Sequence, residues 1–76
     1  MKLTDGQIEI MKEDMYADLV EIIMHEWKCS MTEAMATLYN SETFQRLQDT
    51  ETGLYYQSPG YVYDFLNNEL RSGVVR

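Results

Sequence analysis

Residues 4–28, TDGQIEIMKEDMYADLVEIIMHEWK, decide the fold because they carry the longest helical pattern in the chain. Thr4 and Gln7 stand three residues apart, which is the spacing of a capping box at a helix N-terminus. Apolar residues then recur in steps of three and four, which is the helical period: Ile8, Met11, Met15, Leu19, Ile22 and Ile23. The stretch therefore predicts a helix from about Asp5 to Lys28.

A second apolar row lies beside the first on this predicted helix. Its members are Tyr16, Val20, Met24 and Trp27. At about 100° per residue, the two rows together cover an arc of roughly 220°. Contact with one neighbouring element needs only about half of that width. We therefore expect this helix either to form the centre of the domain or to be partly buried in an oligomer.

Local start signals predict the remaining helices. Ser30 and Glu33 form a second capping box, and the inner face of that helix is predicted to carry four residues: Met31, Ala34, Met35 and Leu38. The pair Asn40-Ser41 consists of good cap residues and predicts the start of a third helix, with Phe44 and Leu47 turned inward. The pair Ser58-Pro59 opens a fourth helix, because proline is tolerated at the first helical position. Its inward residues are predicted to be Val62, Phe65, Leu66 and Leu70, and it ends at Ser72-Gly73.

The aromatic residues between the third and fourth helices complete the predicted fold. A polar stop at residues 49–53 precedes Leu54–Gln57, which is expected to be a short extended segment crossing the first helix. The prediction is an all-α fold, a compact bundle of three to four helices with one short aromatic extended segment, forming a single domain over residues 1–76. The expected buried residues are Leu19, Ile22, Leu38, Phe44, Leu47, Phe65 and Leu66.

Charge restricts the partners that the domain can bind. Six basic residues face 13 acidic ones, which gives a net charge of −7 and leaves no Lys/Arg cluster for a phosphate backbone. Nucleic acids and membranes are therefore poor partners, whereas a basic protein surface is electrostatically matched. The single cysteine, Cys29, excludes an internal disulfide, and no apolar signal segment opens the sequence, so we expect a cytoplasmic protein.

One row of side chains on the first helix has metal-ligand chemistry. Its members are Asp14, Asp18, Glu21, His25 and Cys29. The row extends over about 20 Å, too far to close on one ion, and no second histidine or cysteine exists to complete a tetrahedral site. A solvated acidic face explains the row without a ligand. We therefore predict no metal, no cofactor and no catalytic residue, since neither an oxyanion hole nor a glycine-rich phosphate loop is evident.

The second and third predicted helices also resemble a helix-turn-helix in their spacing. A recognition helix needs side chains that contact bases and cations that contact phosphates. The third helix offers Arg46 as its single cation, in a strongly acidic chain. DNA binding is therefore less favoured than binding to another protein or to a second copy of the chain.

Tyrosines and carboxylates together predict an interaction surface. Six tyrosines in 76 residues is a high number, and tyrosine is enriched at binding surfaces because a rigid apolar ring carries a polar end. The candidate surface comprises Asp14, Asp18, Glu21, Trp27, Tyr55, Tyr56, Tyr61 and Tyr63. These residues predict a small acidic, non-catalytic module that binds another protein. The alternative is a self-associating homodimer, in which a second copy of the chain covers the wide apolar arc of the first helix.

A loose family resemblance runs through the second half of the chain. It rests on Thr32-Glu33-Ala34, Leu38-Tyr39-Asn40-Ser41, Leu47, Gly53-Leu54-Tyr55-Tyr56 and Ser58-Pro59-Gly60-Tyr61-Val62-Tyr63. This order resembles short uncharacterised bacterial helical proteins, classed as domains of unknown function, over about the C-terminal two-thirds of the chain. Some similar families are encoded beside ADP-ribosyltransferase-like toxin genes. The resemblance implies a bacterial accessory or neutralising partner of a toxin-like protein, and it supplies no catalytic residues.

Overall fold

The computed structural model describes residues 4–72, and four α-helices form most of this range. They are α1 Asp5–Trp27, α2 Met31–Tyr39, α3 Glu42–Gln48 and α4 Pro59–Arg71. Two short 3₁₀ turns, Thr50–Thr52 and Leu54–Tyr56, connect α3 to α4, and residues 4–72 contain no β-strand. The predicted all-α bundle is confirmed.

Hydrogen bonds between residues three positions apart determine where α1 and α2 begin. Thr4 Oγ1 accepts from the Gln7 amide at 3.1 Å, and Gln7 Oε1 accepts from the Thr4 amide at 2.9 Å. Ser30 and Glu33 form the same reciprocal pair at the start of α2. The starts of these two helices could be predicted because a capping box needs only residues three positions apart.

The third and fourth helices also begin where the caps predict. Ser41 caps α3, and Ser58 caps α4 with Pro59 at the first helical position. Ser72 ends α4 in the right-handed helical region, whereas the predicted glycine stop at position 73 lies outside the described residues. The cap chemistry that fixes the helix boundaries is therefore local.

The segment Leu54–Gln57, predicted to be extended, instead begins with a 3₁₀ turn. Gly53 has a φ of +72°, and the amides of Tyr56 and Gln57 donate to the carbonyls of Gly53 and Leu54 at 3.3 and 3.1 Å. The positive φ favours glycine at this position, whereas the Tyr56 hydroxyl, 2.8 Å from a Cβ built on Gly53, belongs to an exposed ring that can move aside. The prediction of an extended segment was wrong because it overlooked this local turn.

The core forms where α1 meets α2, α4 and the second 3₁₀ turn. Leu19, Leu38, Leu47 and Leu66 are fully buried, as predicted. Ile22 and Phe44 are only partly buried. The remaining buried apolar residues are Met15, Ile23, Ala34, Tyr55 and Val62. α1 thus forms the centre of the domain, which is the first of the two alternatives predicted from its wide apolar arc.

Three predicted inward side chains are exposed. Phe65 is 41% exposed because α4 turns Val62 and Leu66 to the core, leaving the Phe65 ring edge-to-face against Tyr61 at 5.2 Å. Met31 and Met35 are 58% and 36% exposed, since α2 buries only Ala34 and Leu38. The predicted inner faces of α2 and α4 were therefore too wide.

Side chains from other helices hold both ends of the short α3. The Lys12 ammonium, buried on α1, donates to the Gln48 carbonyl at 2.7 Å. The Glu69 carboxylate on α4 accepts from the amides of Glu42 and Thr43 at 2.8 and 3.1 Å, and from the Thr43 hydroxyl at 2.9 Å. These contacts fix α3, and with it Phe44, against the rest of the domain.

Crossing a bilayer requires a longer and more apolar helix than any found in residues 4–72.

Candidate protein-interaction site

An apolar groove runs between α1 and α2. Each wall carries three side chains at a spacing of four residues, Tyr16, Val20 and Met24 on α1 and Met31, Met35 and Tyr39 on α2. Ala17 also lines the groove, which encloses about 470 Å³. Three of the six methionines in the chain line it, and methionine is the side chain best able to adapt to a partner's shape.

Three aromatic rings pack together at one end of this α1–α2 groove, where Tyr16 and Tyr39 line the groove and Phe44 contacts both. The Phe44 ring lies 4.9 Å from the ring of Tyr16 and 4.9 Å from that of Tyr39, and both pairs are tilted. Such tilted pairs stabilise the packing beyond the area that they bury. The opposite end, where Met24 and Met31 lie, has no such aromatic wall among the groove's lining residues. The groove therefore has one aromatic end and one end lined by methionines.

Carboxylates border the α1 side of the groove. Glu13 and Glu21 lie among its lining residues, both are exposed, and the lining contains no lysine or arginine. Neither carboxylate has an ion-pair partner among residues 4–72. An apolar slot with an uncompensated negative edge favours a ligand that is apolar on one side and positive beside it.

The surroundings of Tyr16 in the groove change the pKa of its hydroxyl. Its pKa is raised above the usual 10.0, first by burial and then by electrostatic interactions with Glu9, Tyr39 and Glu13. A raised pKa favours the protonated phenol in the folded state. The resulting contribution of Tyr16 to the free energy of unfolding is complete below about pH 10, and it is lost as the pH rises through the folded-state pKa of Tyr16.

We therefore expect the stability difference between wild type and Tyr16→Phe to change between about pH 8 and pH 11 in favour of the variant. Urea unfolding of both proteins at each pH measures this difference. An identical difference at the two pH values would contradict the assigned environment of Tyr16.

The predicted aromatic surface lies partly on another side of α1. Asp14 and Asp18 border a shallow depression together with Tyr55, Tyr56 and Pro59. Tyr55 is buried, whereas Tyr56 is 60% exposed and lies edge-to-face against the Tyr55 ring at 5.1 Å. Tyr56 and the two aspartates therefore form a second acidic patch with one available ring.

The remaining predicted surface residues make separate contacts. Trp27 Nε1 donates to the Tyr63 hydroxyl at 2.9 Å, which ties the end of α1 to α4. Tyr61 is exposed and lies against Phe65. Glu21 belongs to the α1–α2 groove. These contacts divide the eight predicted residues among several local groups.

The row of side chains with metal-ligand chemistry is also divided. His25 is exposed, and its Nδ1 lies 3.6 Å from the carboxylate of Glu26. The Cys29 thiol is partly buried and makes a long contact of 3.9 Å with the Ile23 carbonyl. Within the described part of the chain, no three His, Cys, Asp or Glu side chains come close enough to hold an ion.

The start of α3 is already occupied by a carboxylate. In a helix-turn-helix the second helix uses its N-terminal residues to contact bases. Here Glu69 binds the amides of Glu42 and Thr43, and Thr43 is buried. A negative charge at that position would repel phosphates.

Sequence reasoning missed the α2 wall of the groove. Met31, Met35 and Tyr39 form one row, and Ala34 with Leu38 forms the adjacent row that enters the core. The available signal was the width of the apolar surface on such a short helix, since one neighbour buries only one row.

Comparison with protein-family models, characterised proteins and solved structures finds no match to this chain.

Proposed function

We propose that this protein is a small acidic, non-catalytic interaction module that binds a basic protein. The observation that supports the proposal best is the α1–α2 groove, where exposed apolar side chains lie beside Glu13 and Glu21 and no cation. Contiguous exposed apolar surface on a small domain is typical of an interaction site. A net charge of −7 adds long-range attraction for a positive partner.

The charge distribution favours a basic partner over the homodimer. A second copy brings its own net charge of −7 and would place carboxylates near those of Glu13 and Glu21. Like charges brought together at an interface cost free energy and suppress pairing. A toxin-like protein, which the family resemblance suggests, is one example of a basic partner.

Nucleic acid and catalysis have less support. The carboxylate of Glu69 at the start of α3 is unfavourable for contact with phosphates. His25 and Cys29, the single histidine and cysteine of the chain, make separate contacts with Glu26 and the Ile23 carbonyl. Neither contact supports a catalytic role.

Size-exclusion chromatography with light scattering, followed by capture of proteins from the native host, tests the proposal. We expect the isolated chain to be monomeric and to retain a basic protein at low salt. Retention should decrease as salt rises above about 0.15 M, because exposed charges are then screened. A stable homodimer that retains no basic protein at any salt concentration would support the homodimer alternative instead.

A further inference from the structure

We infer that the α1–α2 groove binds a short amphipathic helix of the basic partner, with lysine or arginine side chains beside its apolar face. This inference rests on the proposed function and specifies the binding element. The shape, the side chains and the charge of the groove each fit such a helix.

The length of the groove matches about two helical turns. Tyr16 and Met24 are eight residues apart on α1, which corresponds to about 12 Å along the helix axis. Tyr16 and Tyr39, whose rings both contact Phe44, form the aromatic end of this length. An occupant would therefore present apolar anchors at positions i, i+4 and i+7, which lie on one face over two turns.

The walls suit a helix rather than an extended peptide. Peptides bound as strands add to the exposed edge of a sheet, and residues 4–72 contain no sheet. Two neighbouring helices instead form a furrow in which a third helix packs. The flexible side chains of Met24, Met31 and Met35 can rearrange around anchors of different shape.

The carboxylates define where the positive charges of the occupant should lie. Glu13 and Glu21 are eight residues apart on α1 and both border the groove, so they are about 12 Å apart along its axis. A helix that lies along the groove would meet both with two basic residues about two turns apart. A second copy of this chain lacks this match, since the groove that it would bring contributes further carboxylates.

A synthetic peptide provides the probe for a direct test. It carries leucines at i, i+4 and i+7 and two lysines two turns apart beside them. One control peptide has the same composition in scrambled order, and a second has glutamate in place of each lysine. Fluorescence anisotropy measures binding to the full chain, circular dichroism measures the helicity of the peptide, and methyl NMR follows Met24, Met31 and Met35.

Matched variants assign any binding to the groove. Met31→Gln/Met35→Gln replaces two exposed methionines by a polar side chain of similar length that also favours helices. Its control is Ile10→Gln, on an exposed side chain outside the groove. Glu13→Gln/Glu21→Gln is matched by Asp14→Asn/Asp18→Asn, which removes the same total charge from α1 beside a different depression.

We expect the lysine peptide to bind and become helical while the three methionine signals shift. The methionine pair variant should weaken binding by about 10-fold or more, as loss of buried anchors does. The glutamate pair variant should weaken binding at low salt by about 3-fold or more, and the effect should fade at high salt. Ile10→Gln and Asp14→Asn/Asp18→Asn should bind within about 2-fold of wild type.

Several outcomes would overturn the inference. These are equal binding of the scrambled or glutamate peptide, unchanged binding in the methionine pair variant, or equal weakening by the two charge-removing pairs. If the wild-type chain still retains a basic host protein in any of these cases, the interaction function stands and only the helix-in-groove assignment fails. If no basic protein is retained, the proposed function itself fails.

Discussion

Leu19→Ala is expected to lower the free energy of unfolding by about 2–5 kcal/mol. Leu19 lies in the middle of α1, is fully buried, and belongs to the cluster that joins α1 to α2 and α4. Truncation removes its transfer free energy and leaves a cavity that a close-packed interior fills only in part. Small domains have total stabilities near the low end of about 5–15 kcal/mol, so this loss would unfold a measurable fraction at room temperature.

Urea unfolding followed by far-ultraviolet circular dichroism measures the effect. Ile10→Ala on the same helix is the control, since Ile10 is 60% exposed and its truncation should change stability by less than about 0.5 kcal/mol. Leu19→Met keeps the volume and should cost less than about 1.5 kcal/mol, which gives a folded reference if the alanine variant is largely unfolded. Equal stabilities of Leu19→Ala and Ile10→Ala would show that α1 faces another way.

Helix boundaries could be predicted from the sequence because their causes are local. The reciprocal bonds of Ser30 with Glu33, and the placement of Ser58 before Pro59, depend only on neighbouring residues. The central leucines of α1 and α2 could also be predicted, since the helical period places Leu19 and Leu38 on the inner faces. Local chemistry and periodicity together therefore account for the four helices and for the four fully buried leucines of the core.

The candidate site was less predictable because it depends on how much of each helix surface the neighbouring helices bury. The sequence shows that Met31 and Met35 lie on an apolar side of α2, but only the packing of α1 against Ala34 and Leu38 leaves them exposed. Periodicity defines the direction of an apolar face and leaves its covered width undetermined. The predicted tyrosine surface was likewise divided by tertiary contacts, among them the Trp27–Tyr63 hydrogen bond.

Long-range polar contacts were not predictable for the same reason. Lys12 and Glu69 are separated from their α3 partners by 36 and 26 to 27 positions, so no local motif marks either contact. Both side chains bind to α3, a helix of seven residues that is too short to be stable alone. The order of α3, and the position of Phe44 against Tyr16 and Tyr39, therefore depend on side chains from α1 and α4.

Glu69→Gln is expected to destabilise the domain by about 1–3 kcal/mol, because hydrogen bonds to a charged acceptor are lost or weakened at the start of α3. The Glu69 carboxylate accepts three bonds there, two from backbone amides and one from the Thr43 hydroxyl. A glutamine oxygen still accepts, but its amide group presents donors toward donors. Amide hydrogen exchange within α3 should accelerate more than exchange in the centre of α1, since α3 loses its N-terminal partner.

Asp64→Asn is the matched control for this variant. Asp64 is exposed on the same helix, so both substitutions remove one negative charge from a chain of net charge −7 and relieve general repulsion equally. Only Glu69→Gln also disturbs the cap, and the difference between the two unfolding free energies isolates that contribution. The double variant Glu69→Gln/Thr43→Val should cost less than the sum of its single changes, because both remove the same hydrogen bond. Strict additivity, or equal stability of Glu69→Gln and Asp64→Asn, would mean that α3 is held without Glu69.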